Sequence, residues 1–241
     1  MIISYSNDFV LVRIPKTAST TCVAGLYDMG AVVESEGDLC PGVEASMEYE
    51  SEDSTRSGVN WGSWITGVTE ILDPNMYCRE DPRHRQLYRQ HVWHTGFHRL
   101  VEVGLVDEDM PCVSTIRHPV DRFLSINAFL GKHTRVPERD PNSTWDQYKN
   151  GDEVFGMWEN MFRLHQDYYV PEHATLWNIE NLYDWMKRFA KEKGLVYKEP
   201  IYFKNNKKYR TVSLTSDREQ EILDHFEKDF LLWEQAFREF N

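Results

Sequence analysis

Apolar residues in this chain fall into short runs and helical stripes that alternate, and the alternation predicts a layered α/β protein. Residues 9–14 (FVLVRI) form a β-branched apolar run of the kind that makes a buried strand. Helix is predicted directly after it. Beyond Pro15 and Lys16, the stretch TASTTCVAGLYDMG offers hydroxyl caps, apolar positions at Val23, Leu26 and Tyr27, and Gly30 as a stop. Residues 111–116 (PCVSTI) predict a second buried strand. Arg117 and His118 follow it, and Pro119 takes the first position of a helix running through VDRFLSINAFL. Residues 174–179 (ATLWNI) predict a third strand leading into the helix NLYDWMKRFAKEK. Strands separated by helices predict a parallel sheet.

The stretches between these units read differently. Residues 31–75 are rich in Glu, Ser, Gly and Asp with little periodicity, which predicts a long loop or insertion. Residues 79–99 are basic in an acidic chain, with Arg79, Arg83, His84, Arg85, Arg89, His91, His94, His98 and Arg99, most of them predicted on helix. Residues 144–169 carry aromatics at mixed helical spacing. The tail 217–240 places Ile222, Leu223, Phe226, Phe230, Leu231 and Phe237 on one face of a packing helix. There is no internal repeat and no low-complexity segment, so the expectation is one domain over 1–241 with a variable insertion at 31–75.

Composition narrows the function classes. A 241-residue chain with 41% hydrophobic and 13% aromatic residues has ample apolar area for a sizeable core, which excludes wholesale disorder. Thirty-nine acidic against 27 basic residues give a net charge of −12, and such a surface repels nucleic acid and anionic lipid. An anion site must therefore be built locally. Cys22, Cys40, Cys78 and Cys112 lack CxxC spacing and a neighbouring His pair, so they read as reduced thiols rather than zinc ligands. No stretch approaches the ~20 apolar residues of a membrane span, and the N-terminus carries no signal-peptide pattern. The expectation is a soluble, cytoplasmic protein with no membrane segment and no nucleic-acid partner.

Two constellations carry chemistry. The first is RIPKTASTT, residues 13–21, between the first predicted strand and its helix. A loop there aims backbone N–H groups and the positive helix end at one point, which suits a phosphate or sulfate group. Lys16 adds a mobile charge, and Thr17, Ser19, Thr20 and Thr21 add short donors. It is not a Walker A loop, because it has no glycines where GxxxxGK[ST] requires them. The second is STIRHPVDRFLS, residues 114–125, at the next strand-to-helix junction. Arg117 stands at the strand end with a fork suited to a phosphate monoester. Ser125 lies about 9 Å along the helix from Pro119. Strand ends of one parallel sheet converge on a shared ligand crevice.

IPKTAST followed by RHPVDRFLS resembles the sulfotransferases that use 3′-phosphoadenosine 5′-phosphosulfate (PAPS), especially the Golgi carbohydrate branch with the uronyl 2-O-sulfotransferases and its bacterial relatives. WHTGFHRLVEVGL from Trp93, NIENL at 178–182, the loop 205–210 and the helix EILDHFEKDFLLWEQAF extend the resemblance over most of the chain except 31–75. It implies an α/β fold of P-loop-like type, a three-layer sandwich with a central parallel sheet flanked by helices.

The resemblance also implies that Lys16, Thr17, Ala18, Ser19 and Thr20 cradle the phosphosulfate, and that Arg117 and Ser125 hold the 3′-phosphate. His94 matches the position of the base, with His91 and His98 as rivals, and Trp93 stands where a Lys often precedes that His. The implied reaction is in-line sulfuryl transfer from PAPS to an acceptor hydroxyl, first of all on a carbohydrate, leaving 3′-phosphoadenosine 5′-phosphate (PAP). Lys16 and His94 are the implied catalytic residues. No metal is expected, since the sulfuryl group carries less charge than a phosphoryl group and no paired-carboxylate motif for Mg²⁺ is evident. The rival readings are a nucleotide or small-molecule kinase with a diverged P-loop and a PAPS-binding protein without catalysis.

Overall fold

The computed structural model describes residues 1–32, 38, 94–134, 139–152, 154, 163–199 and 213–240. Four strands, β1 (Ile2–Ser4), β2 (Phe9–Val12), β3 (Cys112–Ile116) and β4 (Thr175–Asn178), form one sheet in the order β1-β2-β3-β4. β2 pairs parallel with β3, Val12 opposite Ser114, and β3 pairs parallel with β4, Ile116 opposite Asn178. The parallel core expected from the sequence is therefore present. The sheet as a whole is mixed, because β1 pairs antiparallel with β2, Ile3 opposite Val10. That edge strand was not anticipated: it spans three residues, and its hairpin turn depends on Asp8 adopting a left-handed backbone with φ 52°.

Seven α-helices are found among the described residues: α1 (Ser19–Asp28), α2 (Phe97–Glu102), α3 (Pro119–Thr134), α4 (Pro141–Lys149), α5 (Leu182–Glu192), α6 (Ser216–His225) and α7 (Glu227–Phe240). Side chains alternate across the pleat, so each strand feeds two cores. Phe9, Leu11, Val113 and Trp177 pack with Cys22, Val23 and Leu26 of α1 and Trp185, Met186 and Phe189 of α5. Val10, Val12, Cys112 and Leu176 pack on the other face with Phe97 and Leu100 of α2 and Ala236 of α7. A third cluster joins α3, α4 and α6 through Phe123, Ile126, Trp145, Ile222 and Phe226. It fixes the helix that carries Ser125.

Gly30 ends α1 as expected. Its φ is +73°, its N–H donates to Tyr27, and the next N–H, of Ala31, reaches back to Leu26, the double closure that favours glycine. The tail differs from the single helix expected over 217–240. It breaks at Phe226, whose backbone leaves the helical region at ψ 37°, so α6 packs on α3 while α7 packs on the sheet. Cys22 and Cys112 are buried free thiols, both pushed up by burial, while Cys40 and Cys78 lie outside the described residues. No helix among the described residues is long and apolar enough to cross a membrane.

Candidate anion site at the strand ends

β2 and β3 run parallel, so their C-terminal ends open on the same edge of the sheet, and both sequence motifs emerge there. The loop after β2 is unusual in backbone as well as in composition. Lys16 (φ 67°) and Ala18 (φ 60°) are both left-handed without being glycine, a conformation costing about 1–2 kcal/mol per residue. Non-glycine strain of this kind collects at ligand clamps. Left-handed residues at alternate positions are also what turns neighbouring N–H groups to one side of a loop. Ala18 is the N-cap of α1, and its methyl group supplies no capping acceptor. The first-turn N–H groups of α1 therefore face the loop mouth without a side-chain cap.

Two hydroxyls fasten this loop to the sheet. Thr17 is fully buried, donates to the Ile14 carbonyl at 2.9 Å and lies 2.8 Å from the Thr115 hydroxyl on β3. A hydroxyl has one proton, so Thr17 spends it on Ile14, and Thr115 is the donor to Thr17. The Thr17 side chain, expected among the donors to a ligand, is thus committed to holding the loop. Ser19 is buried, and the exposed Thr20 accepts from Arg13 Nη2 at 3.2 Å. Lys16 lays its ammonium over the Phe129 ring of α3, 4.6 Å from the centroid. Phe129 is one turn beyond Ser125, so the loop and the Ser125 face of α3 are neighbours.

Arg117 follows β3 directly and donates from Nη1 to the Lys16 carbonyl at 3.3 Å. Lys16 and Arg117 are thereby brought together, with Phe129, one turn beyond Ser125, beside them. The local balance is cationic inside a chain of net charge −12, with Arg13, Lys16 and Arg117 gathered at one edge, while Arg122 beside them is paired with Asp229.

His94 reaches the same loop from the other flank. Its Nδ1 lies 2.6 Å from the Arg13 carbonyl oxygen. Burial pushes its pKa well below the usual imidazole range; the Arg13 and Lys16 charges add to the effect, and the bond to the Arg13 carbonyl opposes it. His94 precedes α2, whereas His98 sits on α2 and is exposed. The two do not share a helical face, and of these two described histidines His94 is the one at the loop. His91 and Trp93 lie outside the described residues, as do most of the basic segment, the loop 205–210 and the insertion.

Gln166 and Arg122 were missed from sequence. Gln166, in a 3₁₀ turn at Gln166–Tyr169, is fully buried and clasps the backbone of Arg117: it accepts from the Arg117 N–H at 3.1 Å and donates to the Arg117 carbonyl at 2.9 Å. Arg122, 2% exposed, donates from Nε to the Pro15 carbonyl at 3.2 Å, one residue before Lys16. The only hint in sequence is that Arg122 falls on the helical face shared by Pro119 and Ile126. His165, Asp167 and Asp229 place ligand atoms within 4.8 Å of one another. The Asp229 oxygens, however, already receive the Gln166 N–H at 2.6 Å and Arg122 at 3.5 Å, so this group reads as an ion-pair network rather than a cation site.

No family model, curated protein or solved structure matches this chain.

Proposed function

We propose that this protein is a sulfotransferase that moves a sulfuryl group from PAPS to an acceptor hydroxyl, with a carbohydrate as the first acceptor class. The observation that carries the reading is the meeting of the two anion-suited motifs, Arg117 Nη1 on the Lys16 carbonyl, at the C-terminal edge of parallel strands. One nucleotide with phosphate groups at both its 5′ and 3′ positions spans two such elements. The spelling of both motifs supports the same family, as does a sheet with apolar clusters and helices on both faces. The P-loop-like three-layer arrangement with a parallel core belongs to this proposal.

In this mechanism the loop N–H groups and Lys16 hold the 5′-phosphosulfate, and Arg117 and Ser125 hold the 3′-phosphate. The carbonyl oxygen of Arg13 can only accept, so the neutral His94 carries its proton on Nδ1 and keeps the Nε2 lone pair. The acceptor hydroxyl oxygen attacks sulfur, and its proton passes to Nε2. The bond from sulfur to the bridging phosphate oxygen breaks, and PAP leaves with that electron pair. Lys16 stabilises the charge appearing on the leaving phosphate. As in phosphoryl transfer, positioning and fixed charge supply most of the rate.

Calorimetry of PAP binding against ATP with Mg²⁺, on wild type, Arg117→Ala and Lys16→Ala, tests the donor site. PAP binding weakened by ~1.5–3 kcal/mol in Arg117→Ala, the worth of a charge-assisted hydrogen bond, is expected. A preference for ATP with Mg²⁺ would replace this reading with a diverged kinase. Tight PAP binding with no turnover on any hydroxyl acceptor would leave a PAPS-binding protein.

A further inference from the structure

The clasp on Arg117 does not end at Gln166. β3 makes its last pairing at Ile116, opposite Asn178, after which β4 turns into a short 3₁₀ segment. The backbone of Arg117 is therefore the first beyond the sheet and needs other partners. The Gln166 amide supplies both, imitating a strand residue. The backbone N–H of Gln166 donates to Asp229 Oδ1 at 2.6 Å, and Asp229 Oδ2 faces Arg122 Nη1 at 3.5 Å. Arg122 in turn donates to the Pro15 carbonyl at 3.2 Å and twice to the Leu164 carbonyl at 3.2 Å. A single buried chain of hydrogen bonds thus runs from the Arg117 backbone to the root of the Lys16 loop.

All three side chains are buried, Gln166 and Asp229 completely and Arg122 at 2% exposure. Burying a charge pair adds little net stability over apolar packing of the same volume, but its hydrogen bonds are directional and fix geometry. Arg122 spends its donors on two carbonyls and a carboxylate of the protein itself, so it acts on the site through position and not by touching a ligand.

We infer that Gln166, braced by Asp229 and Arg122, is a positioning residue that sets the Arg117 guanidinium against the Lys16 loop and thereby sets selectivity for 3′-phosphorylated nucleotides. This rests on the donor-site reading above. Without the clasp the Arg117 backbone loses the two Gln166 hydrogen bonds past the strand end, and the 3′-phosphate contact goes while the 5′-phosphate loop, anchored by Thr17 and Thr115, stays.

The test is the ratio of affinities for PAP and for adenosine 5′-monophosphate (AMP), which differ only in the 3′-phosphate, on folded wild type and Gln166→Ala. The expected result is a ratio at least about fivefold lower in Gln166→Ala with AMP affinity little changed. A merely structural role would lower thermal stability and leave the ratio alone, and that outcome overturns the inference. Gln166→Glu, isosteric but unable to donate to the Arg117 carbonyl, is the second variant should Gln166→Ala not fold, with the same expectation and the same overturning result. A wild type that does not distinguish PAP from AMP overturns the donor-site reading and this inference together. Selectivity kept in a folded variant overturns the inference alone.

Discussion

The Nδ1 atom of His94 lies 2.6 Å from the Arg13 carbonyl oxygen, and this contact fixes which ring nitrogen is available as a base. Arg13 also donates to Thr20, so the residue that orients His94 is tied to the Lys16 loop itself. His94→Ala is expected to lower kcat for sulfuryl transfer by ~10²–10⁴-fold, the usual worth of a positioned general base. PAP affinity should stay within about twofold, because the donor site does not use the ring. A fall in PAP affinity with kcat intact would instead make His94 a support for the loop.

The same ring predicts where activity fails in acid. Burial, reinforced by the Arg13 and Lys16 charges, keeps His94 unprotonated well below its ordinary value of 6.5. The acid limb of the kcat/KM profile should therefore lie below pH 6.5, the limb expected of an unperturbed imidazole base. A limb at or above that value would show that another group carries the proton.

Stability should follow a related pH dependence. Unfolded His94 takes up a proton near pH 6.5, whereas the folded ring resists it, so below that pH the unfolded chain binds more protons and folding weakens as pH falls. His118 and His225 are lowered by burial as well and act in the same sense. Asp229, raised by burial, acts in the opposite sense. The comparison is therefore between wild type and His94→Gln, by urea midpoint at about pH 7.5 and about pH 5.5. Wild type should lose more stability than His94→Gln over that interval; equal losses would show that the ring is not held neutral.

The two motif loops and their meeting were legible in sequence because each depends on local signals. An apolar run such as FVLVRI ends in a hydroxyl-rich turn, and parallel pairing then dictates that the two ends share an edge. The Gln166, Asp229 and Arg122 network was not legible. Asp229 lies between Phe226 and Phe230 on a helix whose polar residues read as a solvated face, and only the break at Phe226 swings it against α3 and the 3₁₀ turn. Helical periodicity reports that an apolar face exists, but not which polar residue the next element will cover. β1 escaped for a different reason: three residues are too few for a period to register.

Thr17 and Thr115 should show strong energetic coupling. Thr17→Val removes the acceptor of Thr115 and the donor to Ile14, leaving two buried polar groups unmet at about 1–3 kcal/mol each. Thr115→Val leaves Thr17 still bonded to Ile14, so it should cost less. The double variant should be destabilised by less than the sum of the single variants, by about 0.5–3 kcal/mol. Additive losses by chemical denaturation would show that the two hydroxyls do not bond.

Arg122 and Asp229 should be unequal in their effects on folding, although they form one pair. Arg122→Met leaves the Asp229 carboxylate buried with the Gln166 N–H and, at 3.9 Å, the His165 ring against it, and strips partners from the Pro15 and Leu164 carbonyls. That variant should lose about 3–5 kcal/mol, the cost of breaking a buried pair from one side. Asp229→Asn keeps an acceptor for Gln166 and leaves Arg122 held by the carbonyls of Pro15 and Leu164, so its loss should be smaller. Urea denaturation of both variants at one pH checks the order. If Asp229→Asn proves the more damaging, the carboxylate and not the carbonyls neutralises Arg122, and the link from α7 to the Pro15 carbonyl would be primarily one of charge.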